Sequence, residues 1–500
     1  MHISIRPIFA VAAVIACFMG TANAEMLLNA NLDESNLYDN LESSNAAINT
    51  NQSIRPFSYQ RAEMFLLDDK RVRLIRAPNP IDDGNMWRLK PLNSFKTKFF
   101  YTNEERTFLE GQSGVTLRKG INLLAFEDGF ISYGDDLTLY YQLKQVADQN
   151  TVKNQLFRGY LKYRFTNWSI ELGKDNVSIG PGEYGGLLLS DNVEPYPLVK
   201  LGTETPLYFG GDWDFVLLNA WLPGKRNDHS NPQLLVGALS YKPFNWLELD
   251  LARSDMYGGD GQPEYTLDEY PRLFLGTNAN SANKFGGDNG YASWSLSFYL
   301  PFNRWFENVH TVKMYYEEVG TDVNTFWQTD YPNGASTPSL VRFNKSSFME
   351  GIYVATEENI FRLERAAIHT NFYWHWNYTD GYQYNGLALG SPYGTNSESY
   401  LFKHLHYFNK DFWGQYKIGQ YTSPAYHIET PGLTMTRTFL ELQAEKKIGI
   451  YRLGGFARVD MTKNYDETIS SNPIAYISQR TVSPNDMTFM TVGASLNIDF

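Results

Sequence analysis

The chain has 500 residues, a formal net charge of −12, 20% charged residues and 15% aromatic residues, among them 34 tyrosines. This charged fraction excludes a bundle of transmembrane helices, and the acidic balance argues against a nucleic-acid partner, because nothing would neutralise the phosphates. So many aromatic residues suit the girdles of a membrane barrel, a surface on which sugars stack, or both.

The first 24 residues predict a signal peptide. Arg6 supplies the positive charge, residues 8–19 form an apolar segment, and Ala22-Asn23-Ala24 is a small-x-small cleavage site. The alternative is a lipoprotein box ending at Cys17, the only cysteine in the sequence. Cleavage after Ala24 would leave no cysteine, so we expect neither disulfides nor thiolate metal sites in the mature chain.

Residues 25–92 show no strand pattern, and we predict a short periplasmic segment that is partly helical. Asn, Ser and acidic residues dominate as far as Asn51. Beyond it Met64, Leu67 and Leu74 recur at near-helical spacing. The alternative is a partly disordered lead-in.

From about residue 93 to residue 500, apolar and polar residues alternate along segment after segment. Leu161 and Tyr163 fall on one face of a predicted strand, and Lys162 and Arg164 fall on the other. Charges in mid-strand are costly in a dry sandwich core, whereas they are tolerated in a wet lumen. The fold class predicted is therefore all-β, a large transmembrane antiparallel β-barrel of about 18 strands, with a range of roughly 16–20.

The predicted connections are of two kinds. Short turns repeat an Asn and Trp motif, ending at Trp168, Trp246, Trp305 and Trp413. Long loops rich in Gly, Asp, Asn and Tyr are predicted at 255–290, 321–345, 384–399, 421–435 and 463–486. This sorting is typical of outer-membrane barrels, with short turns in the periplasm and long loops outside. The recurring tryptophans are expected in the periplasmic girdle.

One connection, within residues 159–206, is too rich in Gly and Pro to form a regular β-strand. Its Gly and Pro residues predict a shaped loop folded into or over the barrel, although an ordinary long connection is an alternative. The predicted lumen and plug residues are Arg164, Lys174, Gly180, Pro181, Gly182, Tyr184, Gly186 and Ser190. The charged wall residues, which also include Arg158, Lys162 and Glu171, would either guide an acidic polysaccharide or solute, or pair with one another and stiffen the barrel.

A second cluster lies at the edge of a long loop and could hold a saccharide. The predicted ligand-binding residues are Trp374, Trp376, Tyr378, Asp380, Tyr382 and Tyr384. Sugar C–H faces would stack on the rings, and the carboxylate would take hydroxyls. The alternative is an aromatic girdle with loop packing.

Two histidines, His404 and His406, share one strand face, but no third metal ligand is identifiable. We therefore predict no metal, no cofactor and no catalytic residue. The last segment alternates up to a terminal Phe500, which looks like the signal read by the barrel-assembly machinery of the outer membrane.

Three segments resemble the capsule assembly Wzi family. They are GKDNVSIGPGEYGGLLLSDNVEPYP at 173–197, Arg55-Pro56-Phe57-Ser58, and YTDGYQYNGLALGSPYGTN at 378–396. The resemblance implies an outer-membrane β-barrel with a helical N-terminal part that acts as a surface lectin for capsular polysaccharide.

The predicted function is therefore that of a monomeric, non-catalytic barrel in the bacterial outer membrane. It would bind and organise capsular or extracellular polysaccharide at the cell surface. One alternative is a porin for small solutes, which requires an open lumen. A second is an outer-membrane hydrolase, which requires a serine or a carboxylate within hydrogen-bond reach of His404 or His406.

Overall fold

The computed structural model is a closed antiparallel β-barrel. It describes residues 51, 53–56, 87–103, 107–108, 110–111, 113–134, 136–275, 287–302, 305–306, 308–324, 342–344, 346–370, 372–426, 431–465 and 485–500. Residues 1–24, with the predicted signal peptide and the alternative at Cys17, lie outside these ranges, as do the helices expected around Met64 to Leu74.

Eighteen long strands in the described residues form the barrel wall. The first nine are β1 (Trp87–Thr102), β2 (Gly120–Tyr133), β3 (Leu137–Ala147), β4 (Val152–Phe165), β5 (Trp168–Asp175), β6 (Tyr196–Thr203), β7 (Asp212–Trp221), β8 (Gln233–Phe244) and β9 (Leu247–Tyr257). The second nine are β10 (Asn289–Leu300), β11 (Val309–Gly320), β12 (Ser347–Thr356), β13 (Asn359–Ile368), β14 (Ser397–Asn409), β15 (Phe412–Tyr426), β16 (Pro431–Ile448), β17 (Tyr451–Lys463) and β18 (Met487–Asp499). The strand number agrees with the prediction.

Each strand pairs with the strands before and after it in the chain, and β1 pairs with β18 from Ser94↔Asp499 to Thr102↔Thr491. This last pairing closes the sheet, so the wall has no free edge. The first strand begins at Trp87, a few residues before the predicted boundary at residue 93.

The side chains of the wall alternate as a barrel in lipid requires. Leu161 is 42% exposed on the outer face, whereas its neighbour Lys162 is fully buried on the inner face. The same holds for Leu251 outside and Asp250 inside. Apolar side chains therefore face outwards and charged ones line the lumen, as the sequence predicts.

Short elements lie in the connections and in the lumen. Two-residue and three-residue pairs join Ile54–Arg55 with Ser178–Ile179, Thr107–Phe108 with Thr116–Leu117, Asp322–Asn324 with Arg342–Asn344, and Gln383–Tyr384 with Leu387–Ala388. Leu207–Tyr208 pairs with the first residues of β7. The helix α1 (Tyr270–Leu275) lies in the connection after β9. Among the described residues, no helix has the length and apolar character needed to span a bilayer.

The connections are sorted between the two ends of the barrel. The short-turn end carries the turns at 134–136, 166–167, 245–246, 357–358, 410–411 and 449–450. The long-loop end carries the connections 103–119, 176–195, 222–232, 258–288, 321–346, 369–396 and 464–486. Two predicted loops are shorter than expected. Strand β15 extends to Tyr426 and β16 begins at Pro431, which shortens the loop predicted at 421–435. Strand β6 begins at Tyr196 and includes Pro197, which precedes Leu198, the first residue of β6 that pairs with β7.

Exposed aromatic residues ring the short-turn end and form a girdle. Trp246 and Trp305 belong to it, with Phe209, Phe244 and Phe408 nearby. The expectation is wrong for Trp413. This residue pairs with Tyr407 and Glu445 on the inward face and is buried in the apolar cluster of the lumen.

Candidate functional site

The connection 176–195, between β5 and β6, folds into the lumen and forms a plug. The Ile179 N–H donates to the Leu189 carbonyl at 2.9 Å, so the segment folds back on itself. Leu187, Leu188 and Leu189 are buried in one apolar cluster with wall residues such as Val216. The Gly-Pro-Gly and Leu-rich sequence therefore fills the barrel rather than covering it.

Glycines are required where plug strands approach closely. A Cβ atom at Gly186 would collide with the Ile179 carbonyl oxygen, and one at Gly180 would collide with the Gly186 backbone. Gly180 also has φ of +129°, in the region that favours glycine. Gly182 has no room for a side chain because Met349 of β12 lies against it. Pro181 is buried, and its carbonyl accepts from Arg362 at 3.2 Å.

The plug is fixed to the wall by one carboxylate. Glu183 contacts Lys403 at 2.8 Å, Lys417 at 2.9 Å and Arg362 at 3.2 Å, and all four side chains are almost fully buried. Next to it, the Tyr184 ring lies 5.2 Å from the Lys417 ammonium. This buried ion cluster fixes the position of the plug, because moving the plug would leave three buried cations without the Glu183 carboxylate.

Acidic wall residues accept hydrogen bonds from the plug and from the N-terminal segment beside it. The Leu187 N–H donates to both carboxylate oxygens of Glu317, at 3.0 and 3.1 Å. The Ser53 hydroxyl donates to Glu248 at 2.9 Å and to Asp250 at 2.7 Å. The plug therefore meets both cations and carboxylates of the wall, with the Glu183 carboxylate for the cations and the Leu187 N–H for Glu317.

Two further segments share the lumen with the plug. Ile54–Arg55 pairs with Ser178–Ile179 of the plug, so part of the predicted periplasmic segment lies inside the barrel. Glu110, in the connection after β1, accepts from Arg458 at 2.6 and 3.1 Å. The sequence patterns did not indicate either contact, since both join residues far apart in the chain.

The connection 369–396 packs on the plug from the long-loop end. Ser190 donates from its backbone to Leu389 at 2.9 Å and from its hydroxyl to Gly390 at 2.5 Å. The Tyr373 hydroxyl donates to the Leu187 carbonyl at 2.5 Å. These contacts join two of the three segments that resemble the Wzi family into one packed unit.

Several charged residues of the wall pair with one another. Lys162 contacts Glu204 at 2.8 Å, Lys200 contacts Glu171 at 2.7 Å, and Arg158 contacts Asp175 at 2.9 Å. This favours mutual pairing over a charged ladder for a passing ligand.

Two predicted lumen residues differ in their placement. Arg164 is buried on the inner face, as predicted. The prediction is wrong for Lys174, which shares the outer face with Leu172 and donates to the Leu156 carbonyl at 3.0 Å. The reason is parity, because even-numbered residues of β5 point towards lipid.

The predicted saccharide residues separate into buried and exposed groups. Tyr378, Tyr382 and Tyr384 are buried, with the Tyr378 hydroxyl donating to Gly258 at 2.9 Å and the Tyr382 hydroxyl 2.6 Å from Ser254. Their rings are packing groups and are not open to a ligand, which corrects the expectation for these three. Trp376 is 64% exposed, and Trp374 is partly exposed.

The loop that carries Trp376 is braced by a buried ion pair. Arg226 contacts Asp228 at 2.7 Å and donates to the carbonyls of Gly381 at 2.8 Å and Gln383 at 3.1 Å. Burial would raise the pKa of Asp228, but the Arg226 hydrogen bond and charge lower it below the usual value. Asp380 is engaged as well, since it accepts from the Asn227 backbone at 2.6 Å.

His404 and His406 lie on the outer face of β14. One nitrogen of each ring is 2.9 Å from the Asn359 Oδ1 atom, and Phe361 stacks on His404 at 4.4 Å. Neither histidine has a serine or a carboxylate partner in the described part of the chain. No cluster of three or more potential metal ligands occurs among the described residues.

The family model for the capsule assembly protein Wzi matches residues 101–416. The chain belongs to the Wzi family. No curated protein matches it.

Solved structures agree with the fold. A structure described as Wzi from Escherichia coli, an outer membrane protein involved in group 1 capsule assembly and a carbohydrate-binding β-barrel, is 16% identical, with a TM-score of 0.66, and the match covers 96% of this chain and 100% of that one. Pseudomonas aeruginosa OccD3 (OpdP) is 9% identical, with a TM-score of 0.48, covering 82% of this chain and 91% of that one. The likeness to the Wzi structure shows that the two chains share the barrel fold.

Proposed function

We propose that this protein binds capsular or extracellular polysaccharide at the cell surface through its long loops, without catalysis. The observation that carries the proposal is the position of Trp376. Its indole is exposed at the long-loop end, on a loop fixed by the Arg226–Asp228 pair, above a lumen filled by the plug. The family membership and the carbohydrate-binding description of the Escherichia coli structure support this function.

The chemistry of the loop surface suits a sugar. An exposed indole offers a flat apolar face for C–H groups, and a rigid loop loses little entropy on binding. Partly exposed Trp374 and exposed Asn227 lie on the same surface loops. Trp374 can add stacking, and the amide oxygen of Asn227 can accept a hydrogen bond while its N–H donates to Asp380 at 3.1 Å. Because the three buried tyrosines are excluded, the stacking surface is smaller than the sequence predicts.

Trp376→Ala on a glycan array tests the proposal. A stacked ring contributes roughly 0.5–1.5 kcal/mol beyond area burial, so we expect affinity for the recognised glycan to fall about tenfold. Trp305→Ala is the matched control, because Trp305 is equally exposed but lies at the short-turn end. Equal binding by both variants, or no binding by the wild type to capsular polysaccharides, would contradict the proposal.

The plug disfavours the porin alternative. Carboxylate, backbone and apolar contacts fix the plug to several strands of the wall, and the filled lumen argues against a solute path through this region. We expect the wild-type protein to be silent in planar bilayers. The hydrolase alternative has no support, because His404 and His406 contact Asn359 and aromatic rings rather than a nucleophile.

The orientation and partners complete the proposal. The short-turn end would face the periplasm and the long loops the outside, as in other outer-membrane barrels. Phe500 is exposed at the short-turn end, where its N–H donates to the Asn93 carbonyl at 3.1 Å, and it would be read by the barrel-assembly machinery. The protein would act as a monomer in the outer-membrane bilayer.

A further inference from the structure

The outer wall carries a groove where strands β14 to β17 pass near the short-turn end. Its volume is about 580 Å³. Gly414, Ala444 and Gly455 lie side by side on one rung of the sheet and form the floor. A Cβ atom placed on Gly455 would have open space within 4 Å, so the depression is not filled by neighbouring side chains.

Large side chains form the walls of this groove. Phe408 and Phe412 stack at 4.6 Å on the side of the short turns, and Leu442 and Tyr416 lie one rung further into the wall. The His406 ring packs edge-on against Phe408 at 4.5 Å. The surface is apolar and faces bilayer hydrocarbon, so a flexible hydrocarbon chain is the occupant that its environment supplies.

A cation stands at the open end of the groove. Lys446 is exposed on the same outer face, in register with Phe412 on one side and Leu453 on the other. It lies two residues from Ala444, which is about 6.6 Å along a strand. Within the described part of the chain, no carboxylate pairs with Lys446. Lys446 and Phe412 thus share the rung nearest the rim, and the apolar floor of Gly414 and Ala444 lies two residues further along the strands.

We infer that this groove binds one glycerophospholipid, with an acyl chain on the Gly414, Ala444 and Gly455 floor and the phosphate on Lys446. The charge complementarity selects this occupant over an uncharged chain, because an ammonium at the membrane surface attracts anionic headgroups. The inference rests on the membrane-spanning fold and is independent of polysaccharide binding.

Native mass spectrometry of the delipidated full-length protein tests the site with three probes. They are phosphatidylglycerol, diacylglycerol with the same chains, and glycerol phosphate. We expect one tightly bound phosphatidylglycerol molecule and no bound glycerol phosphate. Diacylglycerol should bind about fivefold more weakly than phosphatidylglycerol, because it lacks the phosphate that one lysine near the membrane surface attracts. Equal binding of the two lipids would overturn the role of Lys446, and binding of glycerol phosphate would overturn the role of the groove.

Two variants separate the chain site from the phosphate site. Gly455→Leu fills the floor and should abolish the tightly bound lipid, whereas Lys446→Gln should weaken phosphatidylglycerol about fivefold and leave diacylglycerol unchanged. Lys153→Gln is the control, because Lys153 is exposed at the long-loop end. A heat-dependent shift in electrophoretic mobility on gels shows whether each variant is folded. Unchanged lipid binding in both groove variants, or a protein dimer that Gly455→Leu disrupts, would overturn the inference.

Discussion

The carboxylate of Glu183 contacts the ammonium of Lys403 at 2.8 Å, although the two residues are 220 positions apart in the chain. Both side chains are almost fully buried. Lys417 and Arg362 converge on the same carboxylate, so a single plug residue pairs with cations from three wall strands. The barrel is therefore closed by electrostatics as well as by apolar packing.

Replacing Glu183 by Gln should loosen the plug. Three buried cations would lose their counter-charge, and removing one partner from such a cluster costs about 3–5 kcal/mol. We expect a lower unfolding temperature and intermittent ion conductance in planar bilayers, where the wild type should be silent.

Glu350→Gln is the matched control for this variant. Glu350 pairs with Arg365 at 3.2 Å, but both side chains are about half exposed on the outside of the wall. Exposed pairs contribute about 0–1 kcal/mol, so this variant should stay silent and stable. A Glu183→Gln barrel with wild-type stability and no conductance would show that packing alone retains the plug.

Tyr382→Phe should separate loop packing from ligand binding. The variant removes one buried hydroxyl and its hydrogen bond with Ser254, which costs about 1 kcal/mol of stability. Because the Tyr382 ring is buried, glycan affinity should not change. Array binding and thermal unfolding of this variant are compared with those of Trp376→Ala, which should show the opposite pattern. If Tyr382→Phe lost glycan binding at unchanged stability, Tyr382 would belong to the ligand-binding site.

The alternation of the wall was predictable, and the reason is local. Leu161 and Lys162 are neighbours whose opposite environments follow from the two-residue period of a strand. Turn chemistry is local as well, and it placed Trp246 and Trp305 at the short-turn end. The same rule applied consistently would have placed Lys174 outside, beside Leu172.

The interior could not be predicted in this way, because its contacts join distant parts of the chain. The sequence indicates that Gly180-Pro181-Gly182 is not a regular strand, but it does not indicate which wall residues meet Glu183. Likewise, the spacing of Tyr378 and Tyr382 fits an exposed aromatic cluster as well as a buried one. Tertiary packing decides between the two, and it buries these rings against Gly258 and Ser254.

The Arg226–Asp228 ion pair, which fixes the loop that carries Trp376, should be lost only at acidic pH. The pKa of Asp228 is lowered in the folded protein, so its ionised form stabilises the loop at all pH values above the usual Asp range, near 3.9. This stabilisation is lost as the pH falls through the lowered pKa.

Glycan binding should therefore be constant from neutral pH to about pH 4 and decline only below that value. Binding to immobilised polysaccharide, measured across this range, checks the profile. Asp228→Asn should bind more weakly at neutral pH and show no such acid decline. A midpoint near pH 6 in the wild type would indicate that another group controls the loop.

Cysteine labelling in intact cells should reveal which end of the barrel faces outwards. The sequence has a single cysteine, Cys17, which the predicted cleavage removes, so new cysteines report without background. With a membrane-impermeant maleimide, Trp376→Cys should react in intact cells and Trp305→Cys only after the outer membrane is permeabilised, because the two positions lie at opposite ends. Lys162→Cys is the control for burial and should react in neither condition. Labelling of Trp305→Cys but not Trp376→Cys in intact cells would show that the barrel has the opposite orientation. The short turns would then have to bind the polysaccharide.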